Sequence, residues 1–181
     1  MSSVNVYFAT GFEEVEALTV VDVLRRAGVE TNMVSITGSK EVTGSHNITV
    51  TMDKLFDEAG EADMLVLPGG LVGTANLLAY DKLTDKLKDY CKNGRYIAAI
   101  CAAPTVFGKL GLLEGRRATC YPGMEDELFC LEALKDNVVM DDKIITSRGL
   151  GTAIDFSLAL VNVLVDEETS EKLANKIVYK A

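Results

Sequence analysis

His46 is the only histidine in this chain of 181 residues. That scarcity excludes a catalytic pair of histidines within one chain, and any histidine-rich zinc site. Positive charge is also short: 18 Lys and Arg stand against 27 Asp and Glu, a formal net charge of -9. A nucleic-acid backbone would be repelled overall, so nucleic acid is not an expected partner, although a net figure does not exclude a local basic patch. No run of 18 apolar residues occurs, so no membrane span is expected. The start, Met1-Ser2-Ser3-Val4-Asn5, lacks the basic and long apolar regions of a signal peptide, and a cytoplasmic location is the expectation. The four cysteines form no CxxC, which suggests reduced thiols. A GxGxxG fingerprint after the first strand and a P-loop are both missing, which counts against a nucleotide-binding module.

What is present is apolar and alternating. Hydrophobic residues make up 48% of the chain, enough for one compact domain over residues 1–181 with a sizeable core. No linker, internal repeat or low-complexity segment interrupts it. Val4 to Ala9 reads as a strand, and Glu13 to Ala27 as a helix stopped by Gly28. Glu30 to Ile36 is a second strand, followed by a short strand pair around Val42 and Ile48–Val50. Met64–Leu67 is an apolar strand ended by Pro68-Gly69-Gly70. Asp81 to Cys91 is helical, and Tyr96–Ile100 is a buried strand. Val138–Met140 and Ile144–Thr146 read as a hairpin turning at Asp141-Asp142. Ala153 to Val165 and Glu168 to Val178 are the last helices. All-apolar strands alternating with helices predict an α/β fold, a parallel sheet covered on both faces. The active crevice of such sheets lies beyond the strands' carboxyl ends. Three loops qualify: Thr10–Glu13, Pro68–Gly70 and Ile100–Ala102.

Cys101 stands where the Tyr96–Ile100 strand turns into a helix read over Ala102 to Leu110, with Pro104 in its first turn. Unpaired N–H groups and a helix dipole there favour thiolate, the nucleophilic form. A free cysteine is also often only a small buried hydrophobe, and Cys91, Cys120 and Cys130 read that way. Glu16, Val20, Val23 and Ala27 share one helical face, so a carboxylate heads an apolar stripe facing the sheet. Burial would raise its pKa. Ionised, Glu16 would oppose a Cys101 thiolate; protonated, it could donate a hydrogen bond to one and act as general acid/base. The alternative is a carboxylate merely suited to a helix start, as for Glu13 and Glu14. Gly69 and Gly70 permit close backbone approach, and their N–H groups, with that of Ala102, could hold an oxyanion. An ordinary Gly-rich turn is the competing reading.

Taken in order, Gly11-Phe12-Glu13-Glu14-Val15-Glu16, Leu67-Pro68-Gly69-Gly70, Ala98-Ala99-Ile100-Cys101-Ala102-Ala103-Pro104 and Thr146-Ser147-Arg148-Gly149-Leu150-Gly151-Thr152 resemble the motifs of the ThiJ/PfpI superfamily. Val21 to Gly28 also fits the branch that contains the parkinsonism-associated protein deglycase. The motifs span nearly the whole chain. The resemblance implies a flavodoxin-like three-layer sandwich, a homodimer, and a site without cofactor or metal for small α-oxoaldehydes such as methylglyoxal or for glycated groups. It implies Cys101 as the reactive cysteine, Glu16 as its protonated partner, and Gly70 and Ala102 as oxyanion donors.

One position departs from the pattern. Many relatives carry histidine where Tyr121 stands, and tyrosine is a poor base at neutral pH. A Cys-His peptidase mechanism therefore lacks its base. His46 could substitute only if folding or a partner subunit delivered it to Cys101; it matches a place where the deglycase branch has arginine near a dimer interface. A solvated loop histidine is the alternative. Arg26 approaching Cys101 across a dimer, or remaining a solvated surface group, is likewise open. Arg148 could bind an anion or hold the Gly-rich turn that starts the last major helix, and the structural role is the favoured reading. The expected activity is a glyoxalase or deglycase, with a redox-responsive or chaperone-like protein sensing oxidation at Cys101 as the alternative, and a cysteine peptidase behind both.

Overall fold

The computed structural model describes residues 2–179. Its main sheet has seven strands in the order β10-β11-β7-β6-β1-β2-β5. These are β1 (Ser3–Phe8), β2 (Glu30–Ser35), β5 (Lys54–Leu55), β6 (Met64–Leu67), β7 (Tyr96–Ile100), β10 (Val138–Asp141) and β11 (Ile144–Ser147). Every pairing is parallel except β10 with β11. Two small ribbons lie outside it: β3 (Glu41–Thr43) with β4 (Thr49–Thr51), antiparallel, and β8 (Arg117–Ala118) with β9 (Glu132–Ala133), parallel. The helices are α1 (Glu14–Arg26), α2 (Leu71–Leu78), α3 (Asp81–Lys92), α4 (Pro104–Lys109), α5 (Ala153–Leu164) and α6 (Glu167–Lys176). Among the described residues no helix is long and apolar enough to cross a membrane.

Period-two alternation splits the core into two layers. Val4, Val6 and Phe8 of β1, with Ala98 and Ile100 of β7, pack under α1, α5 and α6 through Val20, Leu24, Phe156, Val161 and Leu173. Tyr7 and Ala9, with Leu65, Leu67, Ile97 and Ala99, pack under the other helices through Leu77, Leu83, Leu87 and Phe107. The result is the expected flavodoxin-like three-layer sandwich with a mostly parallel central sheet.

Four local differences have physical causes. First, α2 was not apparent in the sequence, because Leu71 and Val72 at its start are exposed and Gly73 interrupts its pattern. Gly73 is there because a Cβ would meet Gly11 O and Phe12 Cα at 2.8 Å. Second, β5 has only two residues, too short for any periodic signal. Third, β10 runs through Asp141, so the hairpin turns one residue later, at Asp142-Lys143. Asp142 there has φ 56, which aspartate tolerates in such turns. Fourth, α4 is six residues long and begins at Pro104 rather than Ala102, after a turn over Cys101 to Ala103.

The chain crosses from β2 to β6 on opposite sides of β1, so strand order reverses between β1 and β6. The loops after β1, β6 and β7 leave the same edge of the sheet, as the switch-point rule requires.

Candidate active site around Cys101

Cys101 sits directly after β7 with φ 66, a left-handed conformation that costs energy in a residue other than glycine. Two hydrogen bonds hold it there. Its N–H donates to Ser147 O of β11 at 3.0 Å, and its carbonyl accepts from Tyr121 N at 2.8 Å. The strained turn, supported on both sides, lifts the half-buried sulfur above the sheet edge.

The sulfur faces three groups: the Glu16 carboxyl and the N–H groups of Gly70 and Ala102. Glu16 is 1% exposed, on the first turn of α1. Its Oε2 accepts from Gly69 N at 3.0 Å. Glu13, the N-cap of α1, accepts from Glu16 N at 2.7 Å and donates its own N–H to Gly69 O at 2.9 Å, which ties the β1 and β6 loops together. Neither glycine can be replaced: a Cβ at Gly69 would overlap Glu16 Oε2 and Cys101 Cβ, and one at Gly70 would overlap Gly11 O. Gly70 also has φ 91.

The electrostatics of the pair follow from this packing. Burial, helped by the charge of Glu13, pushes the Glu16 carboxyl up to about 7 against hydrogen bonds from Cys101 and Gly69. Burial first, then the charge and hydrogen bond of an ionised Glu16, push the Cys101 thiol up to about 12, while the Gly70 and Ala102 N–H groups pull it down. When the proton resides on Glu16 the opposing charge is gone, and a thiolate keeps its two N–H donors. The two groups thus titrate as a pair.

Several expectations are corrected. With α4 short and displaced, stabilisation of the sulfur comes from two individual N–H groups and not from a helix dipole, whose effect fades within a turn. The Gly69 N–H serves Glu16, so of the three expected N–H groups only those of Gly70 and Ala102 face the sulfur. Tyr121 binds Cys101 through its backbone, and its ring is 51% exposed beside Gly149. His46 is not delivered to the sulfur within the chain. Its N–H donates to Glu14 Oε1 at 2.6 Å and its Nδ1 lies 3.0 Å from Glu14 Oε2, with Ser45 Oγ 3.2 Å from that same oxygen. Burial would raise Glu14, but the His46 ring and N–H, its own N–H and Ser45 together hold it down at about 2. Arg26 pairs with Asp22 at 2.6 Å on the outer side of α1. Arg148 donates to Lys135 O at 3.2 Å, anchoring the loop before β10.

Sequence reasoning missed Glu13, whose charge acts on Glu16, and Ser147, whose carbonyl fixes the Cys101 turn. The Ser-Arg-Gly motif signalled the second; Glu13 stood in the glutamate motif and at the helix start, but no local pattern showed that it faces Glu16. Among the described residues, Glu13, Glu14 and His46 are the one group whose oxygen and nitrogen atoms lie within 4.8 Å of one another as an ion would require. Those atoms are already committed to capping α1 and clasping the β3–β4 loop.

A model of the DJ-1/PfpI family matches residues 2–163. The chain belongs to the DJ-1/PfpI family. It is 38% identical to Protein DJ-1 homolog B of Arabidopsis thaliana over 95% of this chain and 40% of that protein, so it spans about two fifths of that relative's length. It is 32% identical to a Caenorhabditis elegans protein named glutathione-independent glyoxalase DJR-1.2, over 89% of this chain and 87% of that one. Among solved structures, oxidized DJ-1 of Toxoplasma gondii superposes with a TM-score of 0.96 at 35% identity, each chain fully covered. The matched span, residues 2–163, contains Glu16, Gly69, Gly70 and Cys101.

Proposed function

We propose that the protein is a cofactor-independent glyoxalase or deglycase acting on α-oxoaldehydes such as methylglyoxal, or on early glycation adducts. The observation that carries this reading is the buried Glu16 carboxyl hydrogen-bonded to the Cys101 sulfur, with the Gly70 and Ala102 N–H groups beside it. The glyoxalase name of the Caenorhabditis elegans relative supports it.

In this mechanism the Cys101 sulfur forms a bond to the aldehyde carbon while its proton resides on Glu16. The aldehyde oxygen takes up the negative charge between the Gly70 and Ala102 N–H groups. Glu16 returns the proton to that oxygen, giving a hemithioacetal. The Glu16 carboxylate then removes the proton from the former aldehyde carbon, giving an enediolate; that proton is delivered to the neighbouring ketone carbon, and the hydroxyl proton of the first carbon passes to the ketone oxygen. The first carbon is oxidised to a thioester and the second reduced to an alcohol, with no external oxidant. Water cleaves the thioester, releasing the 2-hydroxy acid and the thiol. Attack on a glycated amine would release that amine by the same pair.

Lactate formed from methylglyoxal by purified protein is the test. Cys101→Ser is expected to abolish it, and Glu16→Gln to lower kcat by about 100-fold or more. Turnover that survives Cys101→Ser would sink the proposal. Since the pair loses its first proton near 7, kcat/KM is expected to rise with pH through that value.

A second reading rests on the same donors. A sulfenate or sulfinate at Cys101 would find the Gly70 and Ala102 N–H groups and a protonated Glu16 around it, which suits a redox sensor. Mass spectrometry after mild peroxide would show Cys101 oxidised ahead of Cys91 and Cys130.

The proposed assembly is a homodimer through the outer face of α1. Val15 and Ile48 are exposed there beside Leu18, along a groove of about 670 Å³ rimmed by Asp22 and Arg26.

A further inference from the structure

Gly149 is a glycine that the fold does not require. Gly69, Gly70 and Gly73 have no room for a Cβ, and Gly70 is left-handed besides. Gly149 differs on both counts. Its φ of 165 is extended backbone open to any residue. Apart from its chain neighbours, a Cβ there would meet ordinary contacts only: Tyr121 Cδ2 at 3.5 Å, and Glu16 Oε1 and Tyr121 Cε2 at 3.9 Å. The turn is held by hydrogen bonds that need no glycine, from Gly149 N to Thr152 Oγ1 at 3.1 Å and from Thr152 N to Gly149 O at 2.9 Å. A space the size of one methyl group is therefore left beside the Glu16 carboxyl.

The walls of this space belong to the Cys101 centre. Glu16 Oε2 accepts from Gly69, so Oε1 is the oxygen turned toward Gly149, on the same carboxyl that is hydrogen-bonded to Cys101. Tyr121 is fixed to the Cys101 turn through its backbone: its N–H donates to Cys101 O at 2.8 Å, and its carbonyl accepts from Met124 N at 3.1 Å. Its ring edge forms the far wall. Glu16 and Gly149 are buried, whereas the ring is half exposed, so the ring is the wall that can yield. An open groove of about 290 Å³ borders both Tyr121 and Gly149 from outside. Two of the three nearest atoms are ring carbons, which suits hydrocarbon better than a charged group.

We propose that the space over Gly149 receives the substituent of the α-oxoaldehyde, and that Tyr121 is the specificity-determining residue, its ring admitting hydrogen or methyl beside Glu16 and turning away larger groups. The proposal rests on the aldehyde chemistry assigned above to Cys101 and Glu16. With the aldehyde carbon on the sulfur, the neighbouring ketone carbon lies against Glu16, and its methyl group takes the place of the missing Cβ. Glyoxal leaves the space empty, methylglyoxal fills it, and an aryl group strikes the ring edge.

Values of kcat/KM for glyoxal, methylglyoxal and phenylglyoxal test the filter. Gly149→Ala puts a methyl group in the space, and the ratio of methylglyoxal to glyoxal is expected to fall about tenfold. Tyr121→Ala removes the wall, and the ratio of phenylglyoxal to methylglyoxal is expected to rise about tenfold. Tyr121→Phe, which keeps the ring edge, is expected to restore the wild-type ratio. Ratios unchanged in both Gly149→Ala and Tyr121→Ala would overturn the filter, and a change in Gly149→Ala alone would overturn the role of Tyr121. A second measurement needs no turnover: the rate of Cys101 alkylation by iodoacetamide against that by N-benzyliodoacetamide, read by mass spectrometry. Tyr121→Ala is expected to narrow the gap between the two reagents. A gap that narrows without turnover of any aldehyde supports the filter and sinks the reaction. Turnover with neither the ratios nor the gap altered overturns the filter and leaves the reaction standing.

Discussion

At the scale of single residues, Glu16 is costly to the fold. A carboxyl raised from 4.5 to about 7 is stabilised only while protonated, so its contribution is fully present below its ordinary value and lost as pH rises through about 7. The rise of 2.5 corresponds to about 3 kcal/mol of stability lost between about pH 4.5 and 7. Glu16→Gln, which cannot ionise, is expected to flatten this slope in urea melts taken across that range. The same variant removes the charge that opposes the thiolate. Alkylation of Cys101 by iodoacetamide, followed against pH, is expected to show a lower midpoint in Glu16→Gln than in the wild type, although turnover falls. A thiolate that becomes more abundant while catalysis declines would separate the nucleophile from its proton shuttle.

At the scale of elements, the β3–β4 hairpin has too few residues to hold its own shape, and a two-stranded ribbon is marginal in water. Glu14 ties it to α1 by accepting from the His46 and Ser45 groups, and Ser45 N donates to Phe12 O at 2.8 Å. Glu14→Ala would leave those donors without their acceptor, at a cost of about 2 kcal/mol. Faster amide exchange confined to residues 44–47 is the expected sign. The clasp also has a pH window. The pairing raises His46, so its share is present below the ordinary histidine value and fades as pH climbs through the raised one. Glu14 is lowered, so its share is present above the ordinary carboxylate range and lost as pH falls toward about 2. Protection of the His46 amide should therefore peak in mildly acidic solution. In α2, Thr74→Val removes an unpaired hydroxyl and is expected to leave Tm unchanged or raised.

At the scale of the whole molecule, the reversal of strand order at β1 decides where chemistry is possible. Three loops far apart in sequence converge on one edge; the Glu13–Gly69 hydrogen bond ties the first two together, and the Cys101–Ser147 bond anchors the third to β11. The proposed dimer would cover Val15 and Ile48. Val15→Asp is expected to shift sedimentation equilibrium toward monomer with little loss of fold, since Val15 is 47% exposed in the single chain. An unchanged molecular mass in that variant would move the interface elsewhere or remove it.

The order of elements was legible in the chain because apolar runs, glycine stops and period-two alternation are local signals. So were Cys101, Glu16 and the Gly-Gly loop, each tied to the end of a strand or the start of a helix. The sequence by itself determined the three-layer sandwich, the thiol at a strand's end and the presence of tyrosine rather than histidine at position 121. Only the tertiary structure decided which N–H serves which acceptor: Gly69 to Glu16, Gly70 and Ala102 to sulfur. It alone paired His46 with Glu14 and replaced the expected helix dipole with two discrete donors. It also left the Thr74 hydroxyl of α2 buried with no partner among the described residues. These assignments depend on approaches of a few ångströms between segments tens of residues apart, and no periodicity along a chain encodes such distances.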